Sequence, residues 1–217
     1  MSMSSTQRLK VSSVASPLSA VPPAKAVPEI LHRRMAAQSR MFQIEAVQLR
    51  FDGGAEREYE RIAAPAAVGT VIVVAAPAPG ELLLIREYAV GLERYEWSLP
   101  MGGVNSGETL LQAANRELRE ETGFSARSLT PLHTLSLAPG IFAYQAQVVL
   151  ATDLVFDPAV GDEPETLDVV SCSFEQLQTL IFRGEFTEAR SLASVFIARE
   201  WLARRDGDAA LHSIRSR

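Results

Sequence analysis

The alternation of apolar and polar positions changes character several times along this chain. "MFQIEAVQLRF" puts Phe42, Ile44, Ala46 and Gln48 on one face and Gln43, Glu45, Val47 and Leu49 on the other, the period of two that a strand requires. "FDGG" then reads as a turn and "EREYERI" as the returning strand, which predicts a hairpin. "AVGTVIVVAA" is a continuous β-branched run and predicts a strand buried on both faces. "PAPGE" turns the chain into another strand, "LLLIREY", and "YEWSLPMGG" predicts a short strand ending at Pro100. "GETLLQAANRELREET" has the strongest helical period in the chain, from about Glu108 to Thr122, with Gly123 at the C-terminal cap. "SLTPLHTLSLAP" and "AYQAQVVLATDL" predict two strands around a Pro139–Gly140 turn. "DPAVGDEPET" reads as an acidic loop, "DVVSCSF" as a strand and "FEQLQTLIFRG" as a helix. A last helix is predicted over "TEARSLASVFIAREWLARR", where Leu192, Val195, Phe196, Arg199 and Leu202 recur on one face. Ahead of the first strand, "PEILHRRMAAQS" predicts a short helix. The elements add up to an α/β fold, a mixed sheet sandwiched by helices.

Composition narrows the function. The chain has 217 residues, enough for one domain with an extension. Its net charge of −5 argues against nucleic acid or an anionic membrane as a partner. It does not exclude an anionic substrate, because a bound cation reverses the local sign. No apolar run is long enough to span a bilayer. Residues 1–28, rich in Ser, Ala, Pro and Val, read as a flexible tail without the apolar segment of a signal peptide. The tail is basic, with no acid before Glu29, so organelle targeting stays as an alternative. Residues 29–64 read as an N-terminal strand extension, 65–205 as the main domain and 206–217 as a C-terminal tail. The lone Cys172 permits no internal disulfide and fits a cytoplasmic protein. Flanked by Val170 and Phe174, it reads as a core filler. His32, His133 and His212 are scattered and form no metal-ligand spacing.

The chemistry lies in the box-like run from Met101 to Phe124. On a helix, Glu117, Glu120 and Glu121 fall within an arc of roughly 100°. Leu111, Ala114 and Leu118 are then expected to face the sheet, and Gln112, Asn115 and Arg119 to look outward. Like charges three and four residues apart cost roughly a few tenths of a kcal/mol per pair. A divalent cation removes that cost, and Mg²⁺ takes hard oxygen ligands. Arg116 is placed to hold a carboxylate through paired hydrogen bonds. A solvated acidic face is the ordinary meaning of such a run. The surrounding spacing is far more specific: Gly102, five residues, Glu108, seven residues, then Arg116 through Phe124 as "RELREETGF".

This is the pattern of the Nudix box, and a chance match somewhere in the chain is on the order of one in a million. The chain thus resembles the Nudix hydrolases, which cleave a nucleoside diphosphate linked to another moiety with Mg²⁺ or Mn²⁺ on an α/β/α sandwich. The resemblance implies Glu117 and Glu121 as main metal ligands, with Glu120 nearby and the Met101 carbonyl as a backbone ligand. It implies that Gly102 and Gly103 let the loop pass close to metal and phosphates, and that Glu108, Arg116 and Gly123 hold the box. In the ADP-ribose pyrophosphatase branch a glutamate on a late loop is the implicated base. Here "GDEPETLDVVS" offers Glu165 first and Glu163 second. Pro139, fifteen residues after Phe124 in "LSLAPG", resembles that branch's downstream proline. From about Arg40 to Arg205 the layout resembles this branch, nearest to ADP compounds hydrolases of the NudE type.

Two departures matter. Glu87-Tyr88-Ala89 stands where many ADP-ribose pyrophosphatases carry Gln-Tyr-Arg, and Ser98-Leu99-Pro100-Met101-Gly102 where they carry Glu-Leu-Pro-Ala-Gly. Both fit a broader range of ADP compounds: ADP-ribose, NADH and diadenosine polyphosphates. Arg86 and Arg61 are candidates for the substrate phosphates, and Arg40, Pro139 and Gly140 complete the expected substrate-binding set. The branch implies a homodimer, with "MFQIEAV" and the last helix as candidate interfaces, although both segments could pack within one chain. The alternatives are a Nudix hydrolase of another specificity and a non-catalytic nucleotide-binding module.

Overall fold

The computed structural model describes residues 24–63 and 69–215, with side chains as far as Arg205. The segment expected to be an N-terminal tail falls mostly outside these residues. The first described elements are β1 (Glu29–Gln38), β2 (Gln43–Arg50) and β3 (Glu56–Ile62), an antiparallel three-stranded sheet in that order. β2 and β3 are the predicted hairpin. β1 is a correction, because "PEILHRRMAAQ" was expected to be helical. It pairs with β2 from Glu29↔Arg50 to Gln38↔Gln43, with two register shifts. Its alanines and arginines suit a helix, so local propensity does not explain the strand. Pairing with β2 satisfies the main chain along the whole segment, and tertiary context of this kind overrides propensity.

The chain continues through β4 (Thr70–Ala75), β5 (Glu81–Ala89), β6 (Arg94–Ser98), β7 (Met101–Gly103) and α1 (Leu110–Thr122). It ends with β8 (Phe124–Ser136), β9 (Gln145–Phe156), β10 (Asp168–Ser173), α2 (Phe174–Phe182) and α3 (Ala189–Arg215). One sheet has the order β10-β5-β6, the other β7-β4-β9-β8. β4 runs parallel to β9 and antiparallel to β7, so the sheet is mixed as expected. The last helix continues past Arg205, where a tail was expected.

β4 explains the layering. Its Ile72 and Val74 pack with Leu84, Leu99, Val148, Leu177, Phe186 and Val195. Its Val71, Val73 and Ala75 pack with Ala113, Ala114, Leu118, Ala126 and Val149. One strand therefore separates a core under α1 from a core under α2 and α3, and a β-branched run with both faces apolar is what that position needs. The result is an α/β/α sandwich.

Two side chains depart from the expected faces. Leu111 is 37% exposed and Leu110 packs on the core in its place. Phe196 is 59% exposed, while Ala198 is buried. In α1 the reason is a rotation that brings Glu117 and Glu121 inward with Ala113, Ala114 and Leu118. Asn115 does not simply look outward either, since its Oδ1 accepts from the Ala126 N–H at 2.8 Å and fixes the start of β8.

The strand expected to end at Pro100 is β6, which stops at Ser98, and an unexpected short strand, β7, follows in the other sheet. Leu99 is buried, and the Pro100 carbonyl accepts from Val73 N–H at 2.8 Å. Proline has no N–H for a ladder, and here it marks the crossing from β6 to β7. The crossing is held from behind by α3. Leu99 N–H donates to Ser191 Oγ at 3.0 Å, and Ser191 Oγ–H donates to Glu188 at 2.8 Å.

Candidate active site

β7 and α1 form the two sides of the site. Gly102 pairs with Val71 of β4, and Gly103 with Thr70, which lays β7 along the acidic side of the helix. Any Cβ at Gly102 would overlap the Glu117 carboxylate, so a side chain there would have to displace that carboxylate. Met101 N–H donates to Glu121 Oε2 at 2.9 Å. Thr109 caps α1 in a reciprocal arrangement with Gln112, and Gly123 closes it at φ 77° with its N–H on the Arg119 carbonyl.

Arg116 joins the parts. Its Nε and Nη2 donate to Glu108 at 2.9 and 3.1 Å, and Nη2 also donates to the Gly103 carbonyl at 2.7 Å. Its Nη1 donates to Glu117 at 2.8 Å and to Glu120 at 3.0 Å. One guanidinium thus ties the loop to the helix and partly neutralises two acids, a task that needs a planar fork. Hydrogen bonds from Arg116 hold the Glu108 carboxyl below its usual range despite some burial.

The remaining charge is poorly compensated. Glu117 and Glu121 are buried. Burial pushes the Glu117 carboxyl up, and Arg116 offsets this only in part. Burial pushes Glu121 up to about 9, against the pull of Met101 N–H and with added repulsion from Glu117, Glu163 and Glu87. A buried acid pushed this far up marks a place where positive charge is short. Among the described residues, no three His, Cys, Asp or Glu side chains stand already gathered at metal-ligand spacing, and Arg116 occupies one side of Glu117 and Glu120. The side-chain donors facing β7 are nonetheless all carboxyl oxygens, the set that a hard divalent cation takes once they are ionised.

The loop between β9 and β10 closes the other side. It borders a cavity of about 510 Å³ shared with the Arg119–Gly123 end of α1, and both Glu163 and Glu165 line it. The two glutamates differ in their neighbours. The charge of Glu163 bears on Glu117, Glu121 and Glu87. Glu165, the first choice from spacing, instead accepts from Tyr95 Oη–H at 2.7 Å.

The expected substrate residues are spread more widely. Pro139 lines a cavity of about 650 Å³ with Glu108, Val104, Phe142 and Tyr144, on the loop side of the box. Gly140 follows it in the turn, where the Ile141 and Phe142 N–H groups donate to Ala138. Arg40 lines a separate cavity of about 340 Å³ with Phe42, Ile62 and Tyr144. Arg61 is paired across the N-terminal sheet with Glu45 at 2.7 Å and is not brought to the acids. Arg86 lies over the rings of Tyr95 and Trp97 and 3.9 Å from Asp168.

The structure therefore gathers Met101, Gly102, Gly103, Glu108, Arg116, Glu117, Glu120, Glu121 and Glu163. It leaves Arg40 and Arg61 elsewhere. Sequence reasoning missed Glu87 as a site acid. Its side chain is exposed, and partial desolvation with the charge of Glu163 raises its carboxyl. The sequence offered only the even spacing from Leu83 along a predicted strand, and the structure shows that Leu83 packs under α1. Tyr95 was missed as well, and a lone exposed tyrosine gives no such signal.

Comparison with known proteins agrees with this geometry. Residues 65–195 match the NUDIX domain, and residues 28–61 match the NudE-type Nudix hydrolase N-terminal domain. The chain is 42% identical over 175 residues to the ADP compounds hydrolase NudE of Escherichia coli (strain K12), covering 81% of this chain and 93% of that protein. It is 29% identical over 129 residues to an ADP-ribose pyrophosphatase of Bacillus subtilis (strain 168), covering 58% of this chain and 70% of that one. A crystal structure of an ADP compounds hydrolase superimposes with a TM-score of 0.77 at 40% identity, over 85% of this chain and 98% of the other. The likeness takes in the strand extension as well as the sandwich, and the chain belongs to the Nudix hydrolase family.

Proposed function

We propose that the protein hydrolyses the pyrophosphate bond of ADP-linked compounds such as ADP-ribose, NADH and diadenosine polyphosphates, releasing AMP and a phosphorylated second product. The observation that carries this reading is the pair of buried, under-compensated acids, Glu117 and Glu121, facing β7. It is supported by the 42% identity to an ADP compounds hydrolase.

Glu117 and Glu121, with Glu120 beside them and the Met101 carbonyl, would hold Mg²⁺ or Mn²⁺. Such a cation, when bound, neutralises diphosphate charge and lowers the pKa of an attacking water. The chain's own residues do the rest. Arg116 fixes Glu117, Glu120 and the Gly103 loop in one frame. Met101 N–H holds the Glu121 carboxylate to β7. Glu163 takes the proton of the water as its oxygen bonds to phosphorus and the bridging P–O bond breaks, the electron pair leaving with the released phosphate. We place the base here and not at Glu165 because Glu163 bears on the acid cluster while Glu165 is engaged by Tyr95. Arg86, among Tyr95 and Trp97 and near Asp168 at the end of the loop, is our candidate for a substrate phosphate.

The assembly we propose is a homodimer formed through the N-terminal sheet, which exposes Ile30, Met35, Met41, Phe42 and Tyr59. The net charge of −5 fits a small nucleotide as partner and not nucleic acid. Among the described residues no helix is long and apolar enough to cross a membrane, and the free Cys172 suits the cytoplasm.

The test is a set of initial rates with Mg²⁺ on ADP-ribose, NADH, diadenosine triphosphate and a nucleoside triphosphate. AMP release from the first three is expected. Turnover of the triphosphate alone, or binding without turnover, would overturn the reading.

A further inference from the structure

The β9–β10 loop is held at its ends by the frame around it. Asp157 N–H donates to the Gly123 carbonyl at 2.9 Å, and Arg119 pairs with Asp157 at 3.0 Å. At the far end Asp168 begins the β10 ladder opposite Arg86. Between these anchors, among the described residues, one side-chain hydrogen bond ties the loop to the sheet, from Tyr95 Oη–H to Glu165 Oε1 at 2.7 Å. The tyrosine is itself braced. Tyr88 meets its ring edge-on at 5.5 Å between centroids, and Arg86 Cζ lies 5.4 Å from the ring centre.

A second observation concerns Glu163. Its carboxylate lies against Gly161, where any Cβ would overlap it. The chain bends at Pro164 and Glu165, and proline restricts both its own φ and the residue before it. The two carboxylates line one cavity but meet different neighbours: Glu165 accepts from Tyr95, and Glu163 lies over Gly161 with its charge bearing on Glu117 and Glu121.

We propose that Tyr95 and Glu165 form a latch that holds this loop with Glu163 turned toward the box, so that both are positioning residues for a reaction in which Glu163 alone handles the proton. The inference rests on the assignment of Glu163 as base. Gly161 is the second part of the device, since it leaves the space that the Glu163 carboxylate occupies.

The experiment is a set of variants assayed for kcat, KM and melting temperature on ADP-ribose with saturating Mg²⁺. Glu163→Gln should lose about 10²–10⁴-fold in kcat, the range for a lost general base. Tyr95→Phe keeps the ring and its packing but removes the hydroxyl. It should lose about tenfold in kcat, the scale of a positioning contact, with KM and melting temperature unchanged. Glu165→Ala should match it. Glu165→Gln keeps an acceptor for the tyrosine and should restore most of the rate lost in Glu165→Ala. The double variant Tyr95→Phe/Glu165→Ala should be no worse than either single, because both remove one interaction. Gly161→Ala should lower kcat through Glu163 even with the latch intact.

Other outcomes overturn the proposal. If Glu165→Gln is as slow as Glu163→Gln, Glu165 acts directly in the reaction. If Tyr95→Phe keeps the wild-type rate while Tyr95→Ala raises KM, the ring is a stacking surface and the latch does not exist. Multiplicative losses in the double variant mean that the two residues act separately. A wild-type rate for Glu163→Gln removes the base assignment itself, and this result is separable from failure of the latch alone.

Discussion

The box helix and the β9–β10 loop face each other across the same cleft and are built in opposite ways. On the box side, Arg116 alone makes five hydrogen bonds to four groups. The helix is capped at both ends, and β7 is laddered to β4. On the loop side, one side-chain bond joins Glu165 to the sheet. The acids assigned to hold a cation are therefore tied to a braced helix and strand, although they are not yet gathered at metal-ligand spacing, whereas the acid assigned to move a proton sits on the less restrained element. A braced backbone limits how far the acids must move to meet a cation, and loosely tied loops are where adjustable parts are drawn from.

That contrast can be broken most severely at Glu121. Glu121→Gln should cut kcat by about 10³-fold or more, because the cation's charge stabilisation is lost. Its melting temperature in chelator should stay the same or rise, since a buried carboxyl pushed up to about 9 is replaced by a neutral amide. Paired rate and melting measurements check this, and a normal rate would remove Glu121 from the metal site. Arg116→Lys comes next, with a loss of about 10–100-fold, because a point charge cannot span Glu108, Glu117, Glu120 and the Gly103 carbonyl. If lysine supports the full rate, the planar fork is dispensable. Gly102→Ala should fall in the same range through displacement of Glu117, with a raised Mg²⁺ requirement as its signature in a metal titration.

The smallest effect lies behind the site. Burial alone would raise the Glu96 carboxyl, but hydrogen bonds from Thr187 and Arg94 prevail and hold it low. A carboxyl with a depressed folded pKa adds stability above its ordinary value of 4.5, which is lost as pH falls through the folded value. Thr187→Val should therefore lower the melting temperature at pH 7 by about 2–4 °C, and the deficit should shrink below pH 4.5. An equal deficit at both pH values would show that the loss is packing and not charge.

The two regions also differed in how much their residues announced. The box was legible because chemistry restricts it. Acids at helical spacing, an arginine and two glycines leave few alternative uses, and each of them now stands in one cleft. The buried strand β4 was legible for a packing reason, since only a two-faced core accepts "TVIVVA". β1 was not, because its strand state depends on a partner, β2, that local propensity does not describe. β7 was hidden by its composition, as "MGG" has no strand preference and is extended only through β4. The different neighbours of Glu163 and Glu165 could not be read from spacing, because a bend between them decides which one each meets. Tyr95 lies seventy positions from Glu165, and nothing local joins them.

The most direct measurement is calorimetric titration of Mn²⁺ into wild-type protein and Glu121→Gln, with and without a non-hydrolysable ADP-ribose analogue. The account predicts binding to the wild type that tightens with the analogue and is lost in the variant. Equal binding by both proteins, or none by either in the presence of the analogue, would contradict it.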